Sequence, residues 1–304
     1  KDLLSTFFFL LSWRLYLESL RGPTFPYFLS IVVFLLALLS KVSAITLPVV
    51  LLLSLWHLRQ RPGTNAWPEV LKMSGNGQAP FIALSIVFGI IALLGKPYVF
   101  AVEQFGMFVV VALRSTAYYL QLIAVPVGQA AVHPLSAEFP VVSDVMLLLS
   151  LMLLAMISRL AWIKRRSMPL LLTGWLIYLV TLAPTLLHYT RGSEDILIGS
   201  ERYAYLPMVG ILLMVASAGV WLYEHRAVSQ PTRVFLRIAL VSLLLLYCFL
   251  TWQRSLVFGS SVTFNDDILR SAPLYARAHY NLALALEEAR EPQNAHNEYA
   301  MAAA

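Results

Sequence analysis

The sequence predicts an all-α protein: a polytopic membrane helical bundle of about eight spans plus one interfacial or re-entrant helix, followed by the start of a tetratricopeptide-like helical repeat. Three observations carry this. The chain is 59% apolar and only 12% charged, with a mean hydropathy of +0.74, which lies outside the range of soluble globular chains. Its apolar residues fall in runs long enough to cross a bilayer. After Trp252 the composition switches to an Ala-rich, charged, helix-forming pattern.

The apolar runs lie at roughly 4–20, 25–40, 42–57, 80–99, 141–163, 169–187, 207–223 and 234–252. The second and third are two spans and not one. A continuous helix from Phe25 to His57 would measure about 50 Å against a hydrocarbon core of about 30 Å, so the chain is expected to turn near Ser40-Lys41. A ninth segment, 103–127, mixes Arg114, Gln121 and Tyr118-Tyr119 with apolar residues and reads as interfacial or re-entrant.

Sidedness follows from the loop cations, which collect on the cytoplasmic face. With the first residue outside, Arg21, Arg59, Arg61, Lys72, Lys164, Arg165, Arg166, Arg226, Arg233 and Arg237 fall inside. Lys1, Lys41, Lys96, Arg114, Arg191 and Arg202 fall outside. The block "IKRRS" votes most strongly for this orientation, which leaves both chain ends extracytoplasmic. The net charge of +6 is therefore read as membrane orientation and not as nucleic-acid binding. Cys248 is the single cysteine and lies in an apolar run, which excludes a disulfide framework or a Cys-based metal site. The chain opens on Lys1 with no signal-peptide pattern, so an amino-terminal truncation is expected.

Two charged positions stand out on the outer face. The first is "GSERYAYLP", Gly199 to Pro207, at the mouth of an apolar run. An arginine at a helix centre costs about 2.5–3.5 kcal/mol, a cost that vanishes at the headgroup level or in a wet cavity. Tyr203 and Tyr205 suit that level, and Pro207 suits the first turn of the helix that follows. One reading is an aromatic belt with a Glu-Arg pair. The functional reading is that Arg202 faces an anionic ligand, the phosphate of a lipid, with Glu201 orienting it and His188 and Arg191 nearby in the same loop. The second position is Lys41, in "LLSKVSAITLP" at the hairpin tip. It either snorkels to the headgroups or supplies a second point charge for the same phosphate.

Several chemistries find no support. No phosphate-binding Gly-rich loop, His-Glu-x-x-His pair, nucleophile elbow or D-x-D motif is present. The six histidines lack ligand spacing, so no metal residues are assigned and metal dependence is not readable. Asp266-Asp267, just past the last span, is expected to face water.

Residues 1–252 are thus expected to form the membrane domain and 253–304 a soluble helical segment. In the latter, Ala278, Leu282, Ala283, Leu286, Ala295, Tyr299 and Ala302 are spaced for two antiparallel helices packed through small residues, as in a tetratricopeptide unit or a plain amphipathic hairpin. One such unit cannot bury its outer faces, so a carboxyl-terminal truncation is also expected.

Four pieces in this order, "KDLLSTFFFLLSWRLYL", "LALLSKVSAITLPVVLLL", "SERYAYLPMVGILL" and the tail from "LTWQRS" to "ARAHYNLALALEEA", resemble the GT-C type integral-membrane transferases with a tetratricopeptide tail. That family includes the transmembrane O-mannosyltransferases and their bacterial relatives. The resemblance implies a glycosyltransferase that takes a sugar from a polyprenyl- or dolichyl-phosphate donor to an acceptor hydroxyl, such as that of a protein Ser or Thr, on the extracytoplasmic side. It implies an acidic catalytic base in a loop that would lie upstream of Lys1, so this chain alone is not expected to be active. Relatives commonly read Ser-Lys-Glu where this chain has Ser40-Lys41-Val42, which removes an acid or metal role at the hairpin and keeps Lys41 as a phosphate candidate. The repeat is expected to receive protein acceptors or partners. The implied location is a bacterial plasma membrane, or the endoplasmic reticulum in a eukaryote. Rival readings are a transporter, which would need a midplane site and related halves, an O-antigen ligase or polymerase, and a non-catalytic membrane scaffold for the repeat.

Overall fold

The computed structural model describes residues 1–22, 24–59, 77–95, 105–124, 133–134, 144–186, 197–224 and 230–303. Among them the α-helices are α1 (Asp2–Ser19), α2 (Thr24–Ser40), α3 (Leu47–Arg59), α4 (Ala79–Leu94), α5 (Phe105–Ala124), α6 (Asp144–Lys164), α7 (Pro169–Leu186), α8 (Tyr205–Glu224), α9 (Gln230–Val257), α10 (Ser261–Ser271), α11 (Ala276–Glu288) and α12 (Pro292–Ala303). Single 3-10 turns cover Val42–Thr46 and Glu201–Ala204, and two short strands, β1 (His133–Pro134) and β2 (Leu197–Gly199), pair antiparallel. The all-helical membrane architecture expected from composition is present.

Among the described residues, five stretches are long and apolar enough to cross a membrane: Val42–Arg59, Val145–Lys164, Pro169–Leu186, Glu201–Tyr223 and Gln230–Val257. Each coincides with an expected span. Within the described residues, the other three expected spans fall short by that measure. The helices α2 and α4 are apolar but have 17 and 16 residues, about 24–26 Å. The helix α1 carries Asp2, Arg14 and Glu18, a charge load that the apolar run 4–20 concealed.

The chain divides into two compact units. The first comprises Lys1–Gly106, Met152–Gly192 and Tyr203–Trp221; the second comprises Met107–Leu151, Ser193–Arg202 and Leu222–Ala304.

In the first unit α1 packs along α2 through a seam that the sequence spaces by threes and fours: Ser5, Phe9, Ser12, Tyr16 and Ser19 are all buried. A repeat of 3.5 residues keeps one stripe against an antiparallel partner. The serines allow close approach and donate across the seam, since apolar burial drives no association in lipid. Ser12 Oγ donates to the Ser30 carbonyl at 2.7 Å, Ser5 Oγ to that of Ala37 at 3.1 Å, and Trp13 Nε1 to Ser54 Oγ at 2.9 Å. Phe34, Leu38, Leu47, Leu51, Phe81 and Ile177 continue the core. The helices α7 and α8 meet at glycine. A Cβ added to Gly174 would lie 2.5 Å from the Gly210 carbonyl oxygen, and one added to Gly210 would lie 2.5 Å from both the Gly174 oxygen and the Tyr178 nitrogen.

The second unit contains α5, α9 and the tail. The Tyr247 hydroxyl, partway along α9, lies 2.9 Å from the carbonyls of both Ile123 and Ala124, the last residues of α5. These carbonyls have no intrahelical partner, and in lipid such groups must be satisfied by protein. Tyr247 itself stands ten residues before the end of α9 at Val257.

In the tail, Ser260 and Thr263 form a reciprocal capping box at the start of α10. The helices α11 and α12 form the expected antiparallel hairpin: Ala278, Leu282, Ala283, Leu286 and Ala295 are buried, Tyr299 packs against Leu286, and the Tyr280 and Tyr299 rings are 5.8 Å apart. The turn between them is a Schellman motif, with the Glu291 N–H donating to the Leu286 carbonyl and the Arg290 N–H to that of Glu287. Arg290 therefore takes φ of 64°, a left-handed conformation that glycine fills without strain.

Candidate functional site

The stretch beginning at Gly199 is held in the second unit by two neighbouring tyrosines of α5. Gly199 lies against the ring of Tyr118, where an added Cβ would come within 2.6 Å of it. The adjacent Tyr119 is fully buried. Its hydroxyl donates to the Ser200 carbonyl at 3.1 Å and accepts from the Ser200 N–H at 3.0 Å. One phenol thus satisfies both backbone groups of a residue that is 2% exposed, where neither could be left unpaired cheaply.

Ser200 fixes Glu201, whose partner is Arg254 near the end of α9. Arg254 Nε donates to Glu201 Oε2 at 3.0 Å, and Nη2 lies 2.9 Å from Oε1, close enough for an ion pair though not aligned as a hydrogen bond. Arg254 Nη1 donates at 2.8 Å to Asp267 Oδ1 on α10. The planar five-donor fork of arginine can serve two carboxylates in this way. All three side chains are about five-sixths buried, with 15–17% exposure.

Two expectations are corrected here. Glu201 is held by Arg254, so the structure does not give it the role of orienting Arg202; the nearer residue in sequence loses to a fork that reaches both carboxylates. Asp267 does not face water, because Arg254 draws it in. Asp266 meets the expectation, with 49% of its side chain exposed in an ion pair to Arg270.

In the first unit, Lys41 occupies a break in the helical chain. Its backbone is extended, at φ −161° and ψ 129°, between the end of α2 and the 3-10 turn that leads into α3, as the length argument for a turn near Ser40-Lys41 requires. The ammonium donates to the Asp2 carboxylate and lies 4.3 Å from the centre of the Tyr203 ring. Only 17% of the Lys41 side chain is exposed. Asp2 sits at the start of α1 and Lys41 at the end of α2, each complementing its helix dipole. Tyr203 supplies a π face at cation–π distance. The ammonium is thus largely buried within the first unit, between the Asp2 carboxylate and the Tyr203 ring.

Among the residues that the sequence nominated, Lys41 and Tyr203 are brought into contact. Arg202 is exposed within the 3-10 turn Glu201–Ala204, and Tyr205 is the exposed first residue of α8. Pro207 stands in the first turn of α8, as expected. His188 and Arg191 lie outside the described residues. Sequence reading missed Asp2, Tyr118, Tyr119, Arg254 and Asp267 as partners. The Tyr118-Tyr119 dipeptide in an apolar helix was the visible signal for two of them. Among the described residues no three His, Cys, Asp or Glu side chains gather as a metal set.

Compared with known protein families, curated proteins and solved structures, the chain shows no match to any.

Proposed function

We propose that this chain is the membrane part of a glycosyltransferase that uses a polyprenyl- or dolichyl-phosphate sugar as donor and an extracytoplasmic hydroxyl, such as a protein Ser or Thr, as acceptor. The observation that carries this reading is the Lys41 ammonium, largely buried beside the Asp2 carboxylate and the Tyr203 ring. Departure of a lipid phosphate builds negative charge on its oxygens, and a preorganised cation in a water-poor site lowers that barrier most. An ammonium has three donors. Asp2 engages one, and the others serve a phosphate oxygen. Arg202, exposed in the 3-10 turn before the apolar helix α8, adds positive charge to the same stretch of sequence. The order of sequence pieces that resembles the tetratricopeptide-tailed GT-C transferases agrees with this chemistry, and the α11–α12 hairpin would begin the repeat that receives a protein acceptor.

The test is sugar transfer from a short-chain polyprenyl-phosphate sugar by the purified membrane protein. Replacing Lys41 with Met should lower kcat at least about a hundredfold, the order seen when one charge-stabilising donor is removed. Full activity of that variant would discard the phosphate role.

A further inference from the structure

The second unit holds another pair of cations whose arrangement the proposed reaction leaves unused. Arg233 and Arg237 stand four residues apart in the first two turns of α9, a spacing that puts them on one face, where like charges repel. Both guanidiniums nevertheless turn toward one ring: their Cζ atoms lie 5.1 Å and 5.9 Å from the centre of Tyr223 in α8. Arg237 Nη2 donates to the Tyr223 hydroxyl at 3.4 Å. Arg233 Nε is shielded from water and donates to nothing among the described residues. Neither arginine forms an ion pair with a carboxylate among those residues, and no Asp or Glu occurs in the sequence between Glu224 and Asp266.

Two guanidiniums gathered on one phenol, with no carboxylate paired to either among the described residues, suit an anion with several acceptor oxygens, the geometry of a phosphate. The positive end of the 28-residue helix α9 adds to the same field. The neighbours choose between a soluble and a lipid-borne anion. Val234, Phe235 and Ile238 are 51%, 68% and 60% exposed on a helix apolar enough to cross a membrane, so the molecule whose head meets the arginines must have an apolar remainder. We infer that Arg233, Arg237 and Tyr223 form a binding site for the phosphodiester of an anionic glycerophospholipid at the α8–α9 end of the bundle.

The test is native mass spectrometry of the full chain released from micelles doped with dioleoyl-phosphatidylglycerol or dioleoyl-phosphatidylcholine, together with the thermal shift that each lipid gives. The unsubstituted protein should retain phosphatidylglycerol over phosphatidylcholine by about 5–25-fold, about fivefold for each arginine at the membrane surface. The Arg233→Ala/Arg237→Ala chain should lose that preference, whereas Arg270→Ala in the tail should keep it. Arg233→Lys/Arg237→Lys keeps the charge but not the fork and should fall between. An undiminished preference in the double alanine variant would overturn the site. So would equal retention and equal thermal shift of both lipids by the unsubstituted protein, a result that needs no variant to fold. Displacement of phosphatidylglycerol by millimolar inorganic phosphate would overturn the lipid assignment in favour of a soluble anion.

Discussion

Replacing Arg254 with Met removes the one guanidinium that Glu201 and Asp267 share, while keeping its apolar stem. Two carboxylates are then left about five-sixths buried without a counter-charge. Breaking a fully buried ion pair from one side costs about 3–5 kcal/mol. The residual exposure here lowers that to about 2–3 kcal/mol, equivalent to a 30- to 150-fold rise in local opening. The opening should not be general. Arg254 connects the Glu201–Ala204 turn to α10, so amide hydrogen exchange should accelerate in both, while the α11–α12 hairpin, with its own buried alanines and leucines, keeps its protection. Adding Glu201→Gln and Asp267→Asn to the Arg254→Met chain should recover most of the loss, because the charges that need compensation are gone. Unchanged exchange in both segments, or acceleration in α10 with none in the turn, would refute the reasoning that one arginine holds the two together.

Three further predictions rest on separate contacts. Gly210→Ala puts a methyl 2.5 Å from backbone atoms of α7 that cannot swing aside, so it should destabilise the first unit by about 1–3 kcal/mol, read as a lowered Tm in detergent. Tyr119→Phe removes both hydrogen bonds to Ser200; a cost of about 2 kcal/mol is expected, seen as faster exchange of the Ser200 amide. Arg290→Gly relieves a positive φ and should stabilise the tail hairpin by about 0.5–1 kcal/mol, measured by urea unfolding of the tail signal.

The parts of the fold legible in the sequence were those written in composition and period. Apolar run length located five bilayer-length stretches, and the alanine and leucine spacing located the α11–α12 hairpin residue by residue. The turn at Lys41 followed from bilayer thickness alone. Other features were hidden because they depend on distance in space. The serines of α1 carry no distinct signal within an apolar run, yet Ser5, Ser12 and Ser19 are buried along the seam with α2. Tyr118-Tyr119 looked interfacial, but those residues clamp Gly199 and Ser200 some eighty positions away. Glu201 was assigned to its sequence neighbour Arg202, whereas Arg254, fifty-three residues on, is its partner. A charge beside a charge in sequence says little about pairing when a 28-residue helix returns a better-placed fork.

The central claim is that the Lys41 ammonium contacts the phosphate of a lipid-linked donor, and the most direct measurement is retention of a polyprenyl phosphate by the purified chain in native mass spectrometry. Asp2→Asn frees the ammonium of its carboxylate and should hold the lipid as tightly as the unsubstituted chain or more so. Lys41→Met should lose it by about tenfold or more, the equivalent of one charge-assisted contact of about 1.5–3 kcal/mol. Equal retention by the Lys41→Met and unsubstituted chains, or loss on Asp2→Asn alone, would contradict the account.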